Sequence, residues 1–196
     1  MEIEEERRRF YDTKTFVYWD IEDYPLPEGY TVDSFYENVK SSIKNQGYGD
    51  VRILAYGDRK HSSRSVHVES LHPKIPLFRL GCRYGRHTNI LLSMLSNARM
   101  DVLRPRTKLN FMLIIKDMPE EDETEVVSIV RFLRRRHYDV FLVVADEDDH
   151  DQSEVPLWRW KSLLNGGGPI SPVTSEEDDD DTSDDEGRSR KRYKGN

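Results

Sequence analysis

A length of 196 residues suits one domain with an appended tail rather than two domains. Hydrophobic residues make up 36% and charged residues 34%, so the folded part is expected to be shorter than the chain. The single cysteine, Cys82, excludes an internal disulfide and suits a reducing compartment. No apolar run approaches the roughly 20 residues of a membrane helix, and the charged start MEIEEERRRF lacks the apolar core of a secretory signal. Lys194-Gly195-Asn196 is not a peroxisomal address. The net charge of −7 is uneven: nine acidic residues lie between Glu176 and Glu186 and five basic ones follow, which leaves only −3 for residues 1–175. A near-neutral body leaves room for a basic face and a nucleic-acid partner.

Residues 1–13 read as a charged arm. FVYW (16–19) is β-branched and aromatic, which predicts a short buried strand that stops at Asp20, with Pro25 and Pro27 ending any regular element. In TVDSFYENVKSSIKN (31–45), Val32, Phe35, Val39 and Ile43 recur at three and four, the spacing of a helix face. Thr31 or Asp33 would cap its start, and Gly47 lies just past its end. VRILAYGD (51–58) and IPLFRLG (75–81) read as strands, and NILLSMLSNA (89–98) as a helix. FMLIIKD (111–117) is the most apolar strand. EVVSIVRFLRRRH (125–137) is amphipathic, DVFLVVAD (139–146) is a fifth strand, and PLWRWKSLL closes the core as a last strand or short helix.

Apolar strands alternating with helices predict an α/β three-layer sandwich with a mainly parallel sheet of about five strands. Ligands of such sheets bind beyond the carboxyl ends of the strands, where strand order reverses. Four of the five strands end in aspartate: Asp20, Asp58, Asp117 and Asp146. Aspartate is common there as a turn or cap residue, but four together suggest a carboxylate cup suited to Mg²⁺ or Mn²⁺ and to phosphodiester hydrolysis.

TFVYWDIEDYPLPEG, VRILAYGD, NILLSML, FLRRRHYDVFLV and VPLWRWKSLL together resemble the NYN domain over roughly residues 14–164, and more narrowly the plant members related to limkain and the meiosis-arrest female protein. The resemblance implies a PIN-like, Rossmann-like fold and an acidic Mg²⁺- or Mn²⁺-dependent site that cuts RNA. The lead acid of the family's Trp-Asp-Ile-Glu-Asn motif falls on Asp20 and its asparagine on Asp23. The aspartate of Tyr-Gly-Asp falls on Asp58, and the first of Gly-Asp-x-Asp-Phe on Asp117. This assigns Asp20, Asp58 and Asp117 to catalysis and Asp20, Asp23 and Asp117 to the metal.

The departures thin that site. Where the family opens a helix with Lys-Asp-Ala-Ser-Asp-Lys-Lys, this chain has Arg83-Tyr84-Gly85-Arg86-His87-Thr88-Asn89, with His87 at the second aspartate. Ser93 replaces the acid of Val-Asp-Met, and Lys116, Pro119 and Glu120 replace three positions of the last motif. Lys116 is expected to pair with Asp117 or Asp20 and stand in for the ion's charge. Enzymatic activity is therefore open between two mechanisms in RNA processing or RNA-level regulation of gene expression. One is an endoribonuclease using Mg²⁺ or Mn²⁺. The other is a pseudo-nuclease, with no cofactor, that binds single-stranded RNA or an RNA-processing protein.

Arg134 and Arg135, with Arg83, Arg86 and Lys116, are the candidate phosphate contacts. Tyr24 and Tyr84 read as loop packing, with base stacking the alternative. The histidines show no zinc spacing. NGGGPISP (165–172) marks the domain end, so that 14–164 is the domain and 165–196 an acidic-then-basic tail expected to be disordered. Ser175 and Ser183 stand beside acidic residues, as acid-directed kinases prefer, and RSRKRYK (188–194) resembles a nuclear-import or nucleic-acid segment. The expected location is intracellular, cytoplasmic or nuclear, with peroxisomal association following only from the limkain kinship. No membrane contact is expected, and a dimer is left open.

Overall fold

The computed structural model of the chain describes residues 13–58, 67–103, 108–116, 125–147 and 155–170. Seven strands form one sheet in the order β3-β4-β2-β1-β5-β6-β7. They are β1 (Thr13–Asp20), β2 (Asp50–Asp58), β3 (His67–His72), β4 (Ile75–Leu80), β5 (Lys108–Ile114), β6 (Asp139–Val144) and β7 (Leu157–Arg159). All neighbours are parallel except β3, which runs antiparallel to β4 at one edge. The three-layer, PIN-like α/β sandwich expected from sequence is present, with two strands more than expected. The additions are the edge strands β3 and β7: HVESLH carries too little apolar alternation to announce itself, while β7 and the short helix after it share PLWRWKSLL, expected as a last strand or short helix.

The helices are α1 (Val32–Asn45), α2 (Arg83–Leu103), α3 (Glu125–Arg135) and α4 (Trp160–Leu164). Thr31 and Ser34 close a reciprocal capping box at the start of α1: each side-chain oxygen accepts from the other's backbone N–H at 3.1 Å. α3 ends in an unusual way. His137 takes φ +65°, the left-handed conformation more often given to glycine, so that the N–H of Tyr138 reaches the carbonyl of Leu133 at 3.2 Å.

Because successive strand residues point to opposite faces, β1 sends Phe16 and Tyr18 into one core and Val17 and Trp19 into the other. The first core is closed by Ile90, Leu91, Met94 and Ala98 of α2 and Val126, Val130 and Leu133 of α3. The second is closed by Phe35, Val39 and Ile43 of α1 and Leu163 and Leu164 of α4, around Trp19, Trp158 and Trp160. The same alternation places Asp20 on the face covered by α2. β1 lies between β2 and β5, so its carboxyl end is the point where strand order reverses.

Candidate functional site

Asp20 is fully buried at the end of β1, and both of its oxygens are engaged. Oδ1 accepts from the backbone N–H groups of Glu22 at 3.0 Å and Asp23 at 3.3 Å, folding the chain into a tight turn. Oδ2 accepts from Nε of Arg86 at 2.7 Å. The turn closes over Gly57 of β2, where an added Cβ would lie 2.8 Å from Cδ1 of Ile21; a side chain there would have to displace the Ile21 side chain. Glu22 then accepts from the N–H of Asp58 at 3.0 Å, which ties the ends of β1 and β2 together.

Arg86 is the centre of the site. Its side chain is only 4% exposed, and its guanidinium bonds Asp20 and Asp58 and lies 3.9 Å from Asp23. Its position follows from periodicity: residues 86, 90, 94 and 98 form one stripe of α2, and the last three are core. Burial opposes the charge of Arg86. Its bond to Asp20 and the charges of Asp20, Asp58 and Asp23 more than offset that, so its pKa is raised. Arg86, expected from sequence among the phosphate contacts beside the cleft, is instead enclosed among the carboxylates.

His87 and Arg83 complete the charge balance. Nε2 of His87 lies 3.1 Å from Asp23 and 3.6 Å from Asp20. Hydrogen bonding to Asp20 and Asp23 outweighs burial and raises its pKa to about 9, so the ring is an imidazolium at neutral pH. Arg83 reaches Asp23 with Nε at 3.1 Å and Nη2 at 3.2 Å. Burial alone would raise Asp23; the bonds from His87 and the Lys116 N–H, with the charge of Arg83, lower it. Three carboxylates (Asp20, Asp23, Asp58) thus face three cations (Arg83, Arg86, His87).

Lys116 meets the cup through its backbone, while its expected pairing with Asp117 falls outside the described residues. Its backbone N–H donates to Asp23 at 3.0 Å and its carbonyl accepts from Arg83 at 3.1 Å, while the residue itself is exposed. Arg86, not the Lys116 ammonium, holds the carboxylates' charge among the described residues. Ser93 is near enough to the Tyr56 hydroxyl to oppose the rise in pKa that burial causes there. Asp146 does not join the cup: its Oδ1 accepts from the N–H of Lys161 in the first turn of α4. Asp117, Pro119 and Glu120 lie outside the described residues, as does the tail beyond residue 170.

The surrounding surface carries the other candidates. Arg135 is exposed on α3 and Arg134 is half-buried. Tyr24 packs in the core, its ring 5.2 Å from that of Trp160, as expected of a loop-packing residue. Tyr84 does not: it is 69% exposed beside Arg83. No helix among the described residues is long and apolar enough to cross a membrane.

A mainly parallel sheet with an acidic cluster at its switch point defines a PIN-like domain of the nuclease type. The family model for the NYN domain matches residues 14–156, and the chain belongs to that family. No curated protein matches the chain.

NYN nuclease-like domains are generally dependent on a divalent metal, and part of the acidic cluster is present. Asp20, Asp23 and His87 each offer one ligand atom within 4.8 Å of the others. Proximity alone does not make them fit an ion. Arg86 fills the space between the carboxylates, Asp20 Oδ1 already accepts two backbone N–H groups and Oδ2 the Arg86 Nε–H, and His87 would have to give up its proton before it could bind an ion. A doubly charged ion about 4 Å from a guanidinium would be repelled by roughly 8 kcal/mol at an effective dielectric near 20. In this arrangement the donors are matched to an internal cation, not to Mg²⁺ or Mn²⁺.

Proposed function

We propose that this chain is a pseudo-nuclease: an NYN domain that binds single-stranded RNA without cutting it, in RNA processing or RNA-level regulation of gene expression. The observation that carries the reading is the buried Arg86 guanidinium among Asp20, Asp58 and Asp23, where a nuclease of this fold needs open carboxylates. On this reading the acids of the Trp-Asp-Ile-Glu and Tyr-Gly-Asp segments have become structural counter-charges for α2. RNA would lie across the rim, with phosphates on Arg83, Lys116, Arg134 and Arg135 and a base stacked on exposed Tyr84. The narrower kinship to the limkain-type plant members, the 14–164 domain extent and a cytoplasmic or nuclear location belong to the same proposal.

The alternative is an endoribonuclease with Asp20, Asp58 and Asp117 as catalytic acids and Asp23 in support. The closeness of Asp20, Asp23 and His87 favours it, but it requires Arg86 to leave the cup. The two are separated by fluorescence anisotropy of the full chain with a labelled oligouridylate. The pseudo-nuclease binds equally well with EDTA, leaves the oligonucleotide intact, weakens with Arg135→Ala, and shows a steep negative salt slope of about −0.7 per phosphate contacted. Cleavage that needs Mn²⁺ and is abolished by Asp20→Asn would overturn it.

A further inference from the structure

We infer that the acidic run 176–186 of this chain docks on the arginine face of α3. Arg131, Phe132 and Arg135 are exposed on the outward side of α3, and exposed Arg136 follows directly. Arg131 and Arg135 are four residues apart and so lie on one helix face, where two like charges repel each other. Neither has an ion-pair partner among the described residues. The sole acid of α3, Glu125, is six residues from Arg131, or about 9 Å along the axis. This is a concentrated cationic face with nothing on its own helix to balance it.

The chain leaves the described fold beside that face. The N–H of Ile170 donates to the Leu157 carbonyl of β7 at 2.7 Å, and its side chain packs on the core that Val126, Val130 and Leu133 of α3 close. β7 is paired with β6, against which α3 packs. One strand spacing and one helix thickness put the outer face of α3 on the order of 15 Å from this exit. Glu176 follows six residues later, a span of about 20 Å at full extension. Nine carboxylates therefore come within reach of the arginines, and the same cations that attract phosphates would hold them. Phosphorylation of Ser175 or Ser183 would each add about −1.5 to −2 charge and strengthen the contact. If α3 also binds RNA, which rests on the reading above, the tail competes with RNA for it.

The contact is tested without RNA, so its fate is separate from that reading. The full chain, carrying Cys82→Ser, receives a nitroxide at Thr182→Cys inside the acidic run, and amide signals are recorded at low salt. The expected result is broadening of the amides of residues 131–136. The broadening is expected to disappear in Arg131→Ala/Arg135→Ala and in about 0.5 M KCl, where the Debye length is roughly 4 Å. Broadening confined to the basic block 188–194 would overturn the inference, as would no broadening at α3. So would broadening seen only when spin-labelled and isotope-labelled chains are mixed. RNA binding that fails while the broadening persists would remove the RNA reading and leave the docking intact.

Discussion

Replacing Arg86 by methionine keeps most of the side-chain length and removes the charge that Asp20 faces. Asp20 is fully buried and Arg86 nearly so, and removing one partner of a buried pair costs about 3–5 kcal/mol because the other charge is left uncompensated. Asp58 adds little to that loss, since its side chain is 54% exposed. His87, 3.6 Å from Asp20, takes up part of the deficit, so the lower end, about 3 kcal/mol, is the expected value. For a domain of this size that is a fall of roughly 6–12 °C in Tm. The vacated charge is the one a metal would supply. Mn²⁺ at about 100 times its Kd would restore roughly 2.7 kcal/mol to the variant and nothing to the parent chain. The assay is thermal unfolding of both proteins by circular dichroism, with and without Mn²⁺. A loss under about 1 kcal/mol, or an equal Mn²⁺-dependent rise in both, would refute the account of Arg86 as internal counter-charge.

His87 makes stability depend on pH in a defined direction. Its folded pKa, about 9, lies above the ordinary 6.5, so its contribution is complete below about pH 6.5 and is lost as pH rises through 9. The shift corresponds to about 3 kcal/mol at most, and urea unfolding of His87→Gln across this window is expected to be flatter than that of the parent chain. Asp23 acts oppositely: its lowered pKa gives stability above its ordinary value that is lost on acidification, so Asp23→Asn shallows the acid limb of the same curve. His137 holds φ +65°, and His137→Gly is expected to stabilise the domain by about 0.5–1 kcal/mol, read as a higher urea midpoint at unchanged slope.

The sheet was legible because its central strands are nearly continuous apolar runs, FVYW, FMLII and VFLVV, which only a strand buried on both faces permits. One edge was not: β3 is polar. At the other edge PLWRWKSLL was expected as a last strand or short helix and is both, because pairing with β6 holds Leu157–Arg159 extended before α4 begins. Asp20 and Asp58 were found at the switch point because strand ends are visible in sequence. Asp146 looked the same and serves α4 instead, because a carboxylate that ends a strand and one that caps a turn share a single signature. Arg86 was missed for another reason. The four-residue spacing through Ile90, Met94 and Ala98 already aimed it at the sheet, but arginine is so seldom buried that composition argued for the surface. The loss of family acids pointed to a missing ion; it did not say which cation replaced it, and Lys116, adjacent to a motif acid, was the nearer choice in sequence.

The central claim is that Arg86 occupies the charge position a divalent ion would need. Calorimetric titration of Mn²⁺ into the full chain, beside Asp20→Asn, tests it most directly. The control matters because the acidic tail gives its own weak heats, which Asp20→Asn leaves unchanged. The account predicts that the two titrations superimpose up to millimolar metal. A micromolar binding event present in the parent chain and absent from Asp20→Asn would contradict it and return the site to metal-dependent RNA cleavage.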